Sequence, residues 1–177
     1  MSFKGWGFPM RTQTFLIAVT FTLCGLFVVG HAQSKTPTAA DVQKQFLGHW
    51  RLVKFENFDE KGNTRVAEYD GGRIMYDAAG HMSAQLMRSN RKPLATPATE
   101  PERAAAYATY TAYYGRYTID TAVGKVTHHV EGALNHNWVK TDLVRWYSFA
   151  ADGNQLMLSI KNAEGRVTGT LTWERLR

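Results

Sequence analysis

Short segments in which apolar and polar residues alternate fill the chain from Gly48 to its last residues. Alternation with a period of two is typical of β-strands that bury one face. The predicted strands cover residues 49–57, 72–76, 81–88, 115–120, 125–131, 141–149, 155–161 and 167–175. Most of the connections are short and contain Gly beside Asp or Asn, as antiparallel hairpins favour. The pattern predicts an all-β fold, an eight-stranded antiparallel barrel whose closure removes exposed edges.

A short helix is predicted before the first strand. Residues 33–47 begin as a polar linker, and Thr38 can then cap a helix that runs to about Leu47. The Thr38 hydroxyl would accept a hydrogen bond from a free backbone N–H, and Asp41 follows three residues later. Gly48 is the expected helix stop, since glycine adopts the backbone conformation that ends many helices.

A second helix is predicted as an insertion between the third and fourth strands. The proline-containing loop at residues 89–98 leads into a capping-box pattern at Thr99, and we expect a helix from there to about Tyr114. On such a helix Tyr107, Tyr110 and Tyr114 would project from one side. The helix would either cover the mouth of the barrel or pack on the outside of it.

The first part of the chain has the pattern of a secretory signal. Lys4 and Arg11 precede an almost wholly apolar stretch at residues 15–30, and small residues precede a cleavage position after Ala32. The apolar stretch is shorter than the roughly 20 residues of a spanning helix, so no stable membrane span is expected after cleavage. The predicted location is therefore exported, either periplasmic or secreted. The predicted domains are residues 1–32, the signal peptide; 33–47, the linker and short helix; and 48–177, the barrel.

The charge of the chain limits the classes of partner that it can bind, and its cysteine content limits its disulfide and thiol chemistry. The chain of 177 residues has a net charge of +6, part of which leaves with the signal. No basic run is longer than Arg91-Lys92, whereas nucleic-acid binding needs a clustered basic face, so we expect no nucleic-acid partner. The only cysteine, Cys24, lies in the predicted signal. The mature protein should therefore contain neither a disulfide nor a reactive thiol.

His128 is the one titratable residue that alternation directs to the interior. It shares its strand face with Val126 and Val130, while His129 and Glu131 take the opposite face. Two roles remain open for it. His128 is either a core histidine bonded to a neighbour, or a pocket group that orients a ligand or moves a proton.

The histidines do not predict a metal site. His128, His129, Glu131 and His136 are close in sequence, but adjacent strand residues diverge, whereas zinc needs three or four converging ligands. A nucleotide site is not indicated either, because no glycine-rich loop follows a strand and opens a helix. We therefore expect no metal and no cofactor.

An aromatic residue in the first predicted strand and a basic residue in the last are predicted to contact each other. Trp50 in the first strand would plug one end of the closed sheet. Arg175 lies at the end of the last strand, and its guanidinium could stack on the indole in a cation–π contact.

Several segments together carry a recognisable set of motifs. They are GHWRLV at 48–53, GGRIMY at 71–76, GHMSAQLMR at 80–88, YGRY at 114–117, VTHHVE at 126–131, NWVKT at 137–141 and LTWER at 171–175. Through these motifs the chain resembles the bacterial and fungal lipocalin-like domain family over nearly all of the mature sequence. The resemblance implies a calycin-type barrel with a cavity for a small, mostly apolar molecule, but no particular activity.

The candidate ligand-binding residues combine motif positions with interior positions. They are Gln85, Tyr114, Tyr117, His128, Asn137, Trp138 and Arg145. Gln85 lies on the strand face opposite Leu86, so it reaches a pocket only if a bulge changes its direction.

The first functional hypothesis is an exported protein that binds a small hydrophobic or amphipathic molecule in the barrel. The alternative is a cofactor-independent isomerase, cyclase or dehydratase that uses the same cavity. In that case His128 would be the general acid or base, and a Tyr hydroxyl or the Asn137 amide would hold developing negative charge. A third class is an envelope protein whose barrel is filled by its own side chains.

Overall fold

The computed structural model describes residues 38–65 and 69–177, so the predicted signal peptide and most of the linker lie outside the described residues. Within these residues the elements are α1 (Ala39–Phe46), β1 (Gly48–Phe58), β2 (Thr64–Arg65), β3 (Gly71–Tyr76), β4 (His81–Met87), α2 (Glu100–Ala108), β5 (Tyr110–Asp120), β6 (Lys125–Ala133), a 3-10 turn (His136–Trp138), β7 (Asp142–Phe149), β8 (Gln155–Lys161) and β9 (Val167–Arg175). Neither described helix is long and apolar enough to cross a membrane.

Eight of the strands close into the predicted antiparallel barrel. Each strand from β3 to β8 pairs with the next, and β1 pairs with both β3 and β9. The closing pair sets Trp50 opposite Arg175 and Leu52 opposite Trp173. The ninth strand, β2, was not predicted; it lies outside the closed barrel and pairs only with the end of β1, at Asn57 and Phe58.

The inserted helix is shorter than the sequence pattern predicts. Its capping box at Thr99 is present, but α2 ends at Ala108, and the prediction of a helix to Tyr114 is wrong. The following residues form β5, in which Thr111 and Tyr113 are buried and Tyr114 is exposed. In these residues every second side chain is buried as β5 pairs with β4, and this packing outweighs their propensity to continue the helix. The reason is that β-branched and aromatic side chains pack well on a pleated sheet. The tyrosines therefore do not share one helix face.

Helix α1 closes one end of the barrel. Thr38 forms the predicted capping box with Asp41, and Val42 and Phe46 are the buried residues of the helix. The Phe46 ring is fully buried, and its centre lies 5.2 Å from that of Tyr76 and 5.0 Å from that of Phe149, both in edge contacts. Such edge-to-face packing of aromatic rings adds to the stabilisation from burial. Phe46, Tyr76, Tyr147 and Phe149 thus form an aromatic layer beneath α1.

Candidate functional site

A cavity of about 350 Å³ occupies the part of the barrel toward α2. This volume falls within the range of small-molecule sites. Its lining is mostly apolar, and the aliphatic and aromatic members are Phe55, Tyr69, Ile74, Ala84, Leu86, Tyr107, Ala108, Tyr110, Tyr113, Leu134, Trp138, Leu158, Ile160, Leu171 and Trp173. The polar members that complete it are Thr111, Asn135 and Arg145. The barrel is therefore not filled by its own side chains.

The exposure of the lining residues distinguishes a mouth from a floor. Tyr107 of α2 and Leu134 after β6 are 53% and 36% exposed, so they lie where the cavity meets solvent. Tyr113 and Trp173 are 6% and 1% exposed, and they form part of its floor. A ligand would thus pass between α2 and the loop after β6 to reach the buried residues.

A hydrogen-bonded chain of three side chains stands behind the floor. The Tyr76 hydroxyl lies 2.8 Å from Nε2 of His128, and the Tyr113 hydroxyl lies 3.0 Å from Nδ1. His128 is completely buried, as alternation predicts. The imidazole does not itself line the cavity, which it reaches only through Tyr113.

Burial keeps all three members of this chain neutral. Desolvation, followed by the positive charge of Arg145, holds the pKa of His128 well below its ordinary value of 6.5. Desolvation also raises the pKa of Tyr113, although the charge of Arg145 opposes that rise. The pKa of Tyr76 is raised by the same burial. At neutral pH the chain is therefore two phenols and one neutral imidazole.

A neutral imidazole donates from one nitrogen and accepts at the other, so only one of the two tyrosines can donate to it. Tyr76 has no other hydrogen-bond partner among the described residues, and its hydroxyl is buried. If Tyr76 donates to Nε2, then Nδ1–H of His128 donates to Tyr113. This arrangement leaves the Tyr113 O–H free to donate toward the cavity.

Arg145 places a positive charge at the wall of this apolar cavity. It comes from β7, where its backbone lies opposite Val126 of β6. Its Nη1 donates to the carbonyl of Val144, its own chain neighbour, at 2.9 Å. Among the described ion pairs none involves Arg145. Because a guanidinium carries five N–H donors and is always charged, most of its hydrogen-bonding capacity is available to a ligand.

The two buried tryptophans differ in how their N–H groups are satisfied. Nε1 of Trp50 donates to the Phe46 carbonyl at 2.9 Å. Nε1 of Trp173 has no hydrogen-bond partner and is the only buried side-chain polar atom of this kind in the described part of the chain. A buried donor without a partner costs about 1–3 kcal/mol. Trp173 lines the cavity, so a ligand acceptor that reached Nε1 would remove that cost.

Two of the predicted ligand-binding residues lie on the outer face of the barrel. Gln85 is half-buried, and its amide lies 3.5 Å from the Ser83 hydroxyl. Tyr114 is 59% exposed, and its ring covers Gly132 of β6. Neither side chain lines the cavity. The bulge in this region falls between β5 and β6, at Tyr114 and Gly115, and not at Gln85.

The remaining predicted residues divide between the cavity and other positions. Trp138 lines the cavity and meets the Tyr113 ring edge-on at 5.8 Å between ring centres. Asn137 is exposed in the 3-10 turn. Tyr117 is buried near α1, and its hydroxyl donates to the Asp77 carbonyl at 2.8 Å. Of the predicted set, the structure brings Trp138 and Arg145 to the cavity and His128 directly behind it.

His129 takes the outer face, as alternation predicts. Its Nδ1 lies 2.7 Å from the Asp142 carboxylate and its Nε2 lies 2.9 Å from the Thr118 hydroxyl. Through these contacts His129 of β6 links the neighbouring strands β5 and β7. Within residues 38–65 and 69–177, no group of three or more His, Cys, Asp or Glu side chains is placed to hold a metal ion.

Thr111 and Tyr113 are cavity-lining residues that the sequence did not predict as candidate site residues. Both line the cavity from β5, but the predicted helix extended over them. The signal that identifies them is the alternation from Thr111 through Tyr113 and Gly115 to Tyr117. Trp173 is buried, in line with the period-two alternation of β9, but no sequence pattern reveals that its N–H lacks a partner.

The structure defines the class of small closed antiparallel barrels, whose interior can be filled by side chains or can hold one small ligand. Within that class, the sequence model of the lipocalin-like domain family matches residues 47–176. The chain therefore belongs to the lipocalin-like domain family. None of the curated proteins matches the chain.

Among the solved structures that match the chain, two have little sequence identity to it. A redesigned beta barrel is 10% identical with a TM-score of 0.41, and the alignment covers 76% of this chain and 95% of that one. A DUF4847 family protein from Bacteroides vulgatus is 12% identical with a TM-score of 0.42, and the alignment covers 76% of this chain and 97% of that one.

Proposed function

We propose that this protein binds a small hydrophobic or amphipathic molecule in the barrel cavity. The observation that carries the proposal is the cavity of about 350 Å³, whose lining is apolar apart from a few polar groups. Ligand sites commonly combine an apolar wall, which gives affinity, with a few polar groups that fix orientation. Here Arg145, Trp173 and Tyr113 can provide that orientation.

Binding of a neutral apolar dye tests this proposal. N-phenylnaphthylamine fluoresces in apolar surroundings, and we expect saturable fluorescence at a ratio of one dye to one protein. Ala108→Trp places a large ring at a cavity-lining position of α2 and should weaken dye binding about tenfold or more. Ala104→Trp is the matched control, because Ala104 is exposed on the same helix and does not line the cavity. Equal loss in both variants, or no saturable binding, would reject a cavity ligand.

We also propose that the protein is exported, to the periplasm or out of the cell. The basic residues, apolar stretch and small residues before Gln33 support this proposal. Expression of the full chain in its host should give an exported form whose first residue is Gln33. Exported protein that retains residues 15–30 would contradict the proposal.

A cofactor-independent isomerase, cyclase or dehydratase is the second candidate function. The hydrogen-bonded side chains Tyr76, His128 and Tyr113 favour this candidate, because Tyr113 lines the cavity and its hydroxyl is bonded to an imidazole. Proton transfer from Tyr113 to His128 would, however, create two charges in a buried site. The raised pKa of Tyr113 and the lowered pKa of His128 both oppose that transfer. The directions of these two pKa shifts therefore favour a binding protein over an enzyme.

Tyr113→Phe separates the two candidates. It removes the hydroxyl that bonds to His128 and keeps a ring at this cavity-lining position. A binding protein should hold N-phenylnaphthylamine with nearly unchanged affinity in this variant. For an enzyme, turnover of a co-purified host ligand should fall about 100-fold or more, and its pH profile should change. Native mass spectrometry of protein from its own host would supply that ligand.

A further inference from the structure

We infer that the ligand carries a carboxylate at one end, and that Arg145 and the Trp173 N–H bind it at the floor of the cavity. The inference rests on the proposed binding function and specifies its ligand. It arises from two observations that are independent of each other. One is a guanidinium without an acidic partner, and the other is a buried indole N–H without an acceptor.

Three polar groups that line the cavity offer donors. The guanidinium of Arg145 and Nε1–H of Trp173 can only donate. The Tyr113 hydroxyl has its hydrogen free for the cavity when Tyr76 donates to His128. A carboxylate is an acceptor with two oxygens and about four lone-pair sites, so it matches this set. An alkylammonium group is itself only a donor, so it could not bond to the guanidinium or the indole N–H, and the charge of Arg145 would repel it.

Charge supports the same conclusion. None of the cavity-lining residues that the structure describes is Asp or Glu. His128 and the two tyrosines behind the floor are held neutral by burial. The charge of Arg145 is therefore uncompensated on this wall. Opposite charges interact more strongly where apolar side chains exclude water, and a planar guanidinium can bind a carboxylate through two parallel hydrogen bonds.

The rest of the lining determines the remainder of the ligand. Beyond Arg145, Trp173 and Tyr113, the wall toward the mouth is formed by aliphatic and aromatic side chains, with Thr111 and Asn135 as the polar exceptions. The Asn135 side-chain oxygen already accepts from the backbone of Asn137 at 3.1 Å. An apolar tail would lie along this wall while the carboxylate occupies the floor. The chemical class is thus a small monocarboxylic acid with an aliphatic or aromatic body.

Three probes with the same tail test the head group. Decanoate, decanol and decylamine are each used to displace N-phenylnaphthylamine from the wild-type protein. We expect decanoate to displace the dye at a concentration at least about tenfold lower than decanol. Decylamine should be the weakest of the three. This comparison needs no variant, so it does not depend on whether a substitution folds.

Two matched pairs of variants identify the binding groups. Arg145→Met should weaken decanoate about tenfold or more and leave decanol unchanged. Arg116→Met, which removes a charge from the outer face of β5, should change neither. Trp173→Phe removes the unpaired N–H and should weaken decanoate several-fold. Trp50→Phe removes an N–H that is already bonded to Phe46 and should leave decanoate affinity unchanged.

The outcomes separate this inference from the proposed function. If N-phenylnaphthylamine does not bind at all, the binding function fails. If the dye binds but decanol displaces it as well as decanoate does, the cavity binds ligands without a carboxylate site and the inference is wrong. The inference is equally wrong if folded Arg145→Met, checked by circular dichroism, keeps the preference for decanoate.

Discussion

The guanidinium of Arg175 lies over the indole of Trp50, with 4.1 Å between its central carbon and the ring centre. The predicted cation–π contact is thereby confirmed. The same guanidinium donates to the carbonyls of Leu47 and Gln45, each at 2.7 Å. Arg175 therefore joins the last strand, the first strand and the end of α1 at the closed end of the barrel.

Trp50 and Arg175 should be energetically coupled. We expect Trp50→Ala and Arg175→Ala each to lower the free energy of unfolding by about 1–4 kcal/mol. In a double-mutant cycle measured by urea unfolding, the coupling should be about 1 kcal/mol, because either substitution removes the same contact. Full additivity of the two losses would show that the contact does not stabilise the fold.

Burial of His128 should make the stability of the barrel depend on pH. Its pKa lies well below 6.5 in the folded protein and returns to the ordinary value on unfolding. Below about pH 6.5 the unfolded chain binds a proton that the folded protein does not, so acidification should favour unfolding. The free energy of unfolding should fall by up to about 1.4 kcal/mol per pH unit between about pH 6 and the folded pKa.

His128→Gln and His129→Gln form the matched test of this pH dependence. The first removes the buried imidazole and should reduce the loss of stability between about pH 6.5 and pH 5. The second alters the outer face, where the His129 side chain is 40% exposed, and should leave that loss in place. Carboxylates such as Asp41 titrate at lower pH because their pKa values are lowered by hydrogen bonds. An unchanged slope in His128→Gln would contradict the prediction.

Helix α2 and the loop before it, residues 89–108, should open more readily than the strands. No residue of α2 is fully buried, although Tyr107 and Ala108 line the mouth of the cavity. Hydrogen exchange should therefore be faster in α2 than in β5 and β6, and saturation with N-phenylnaphthylamine should slow it. Equal exchange in α2 with and without the dye would reject a covering role for this segment.

Gly115 should be intolerant of even the smallest side chain. A Cβ there would lie 2.0 Å from the His129 carbonyl oxygen, so the backbone of β6 would have to move. Gly115→Ala should lower the free energy of unfolding by about 1–3 kcal/mol. Gly71→Ala is the control, since its new Cβ would be 3.6 Å from the Met87 side chain. We expect the control to change the urea midpoint little, and a similar loss in both would contradict the steric argument.

The barrel was predictable because strand alternation and turn chemistry act locally. The pattern of 155–161 and 167–175 coincides with β8 and β9. Two features were not predictable in this way. Strand β2 is too short to show a period and exists only through its pairing with β1. The end of α2 depends on packing of Thr111 and Tyr113 against β4, a tertiary effect that a capping box cannot reveal.

The site was less predictable than the fold. Alternation correctly separates His128 from His129, because neighbouring residues on a strand take opposite faces. It does not show that His128 lies behind Tyr113, since that arrangement depends on rings from β3, β5 and β6 meeting in the interior. The lack of a partner for Trp173 Nε1 depends on the shape of the cavity, which no local pattern contains.

The burial of the Phe46 ring indicates where the folding unit begins. The family match starts at residue 47, yet the preceding ring is fully buried against Tyr76, Tyr147 and Phe149. A chain shortened to start at Gly48 would leave those three rings facing water and would also lose the carbonyl that accepts from Trp50. By this packing, the folding unit begins before the residues that the family model matches, and it includes α1.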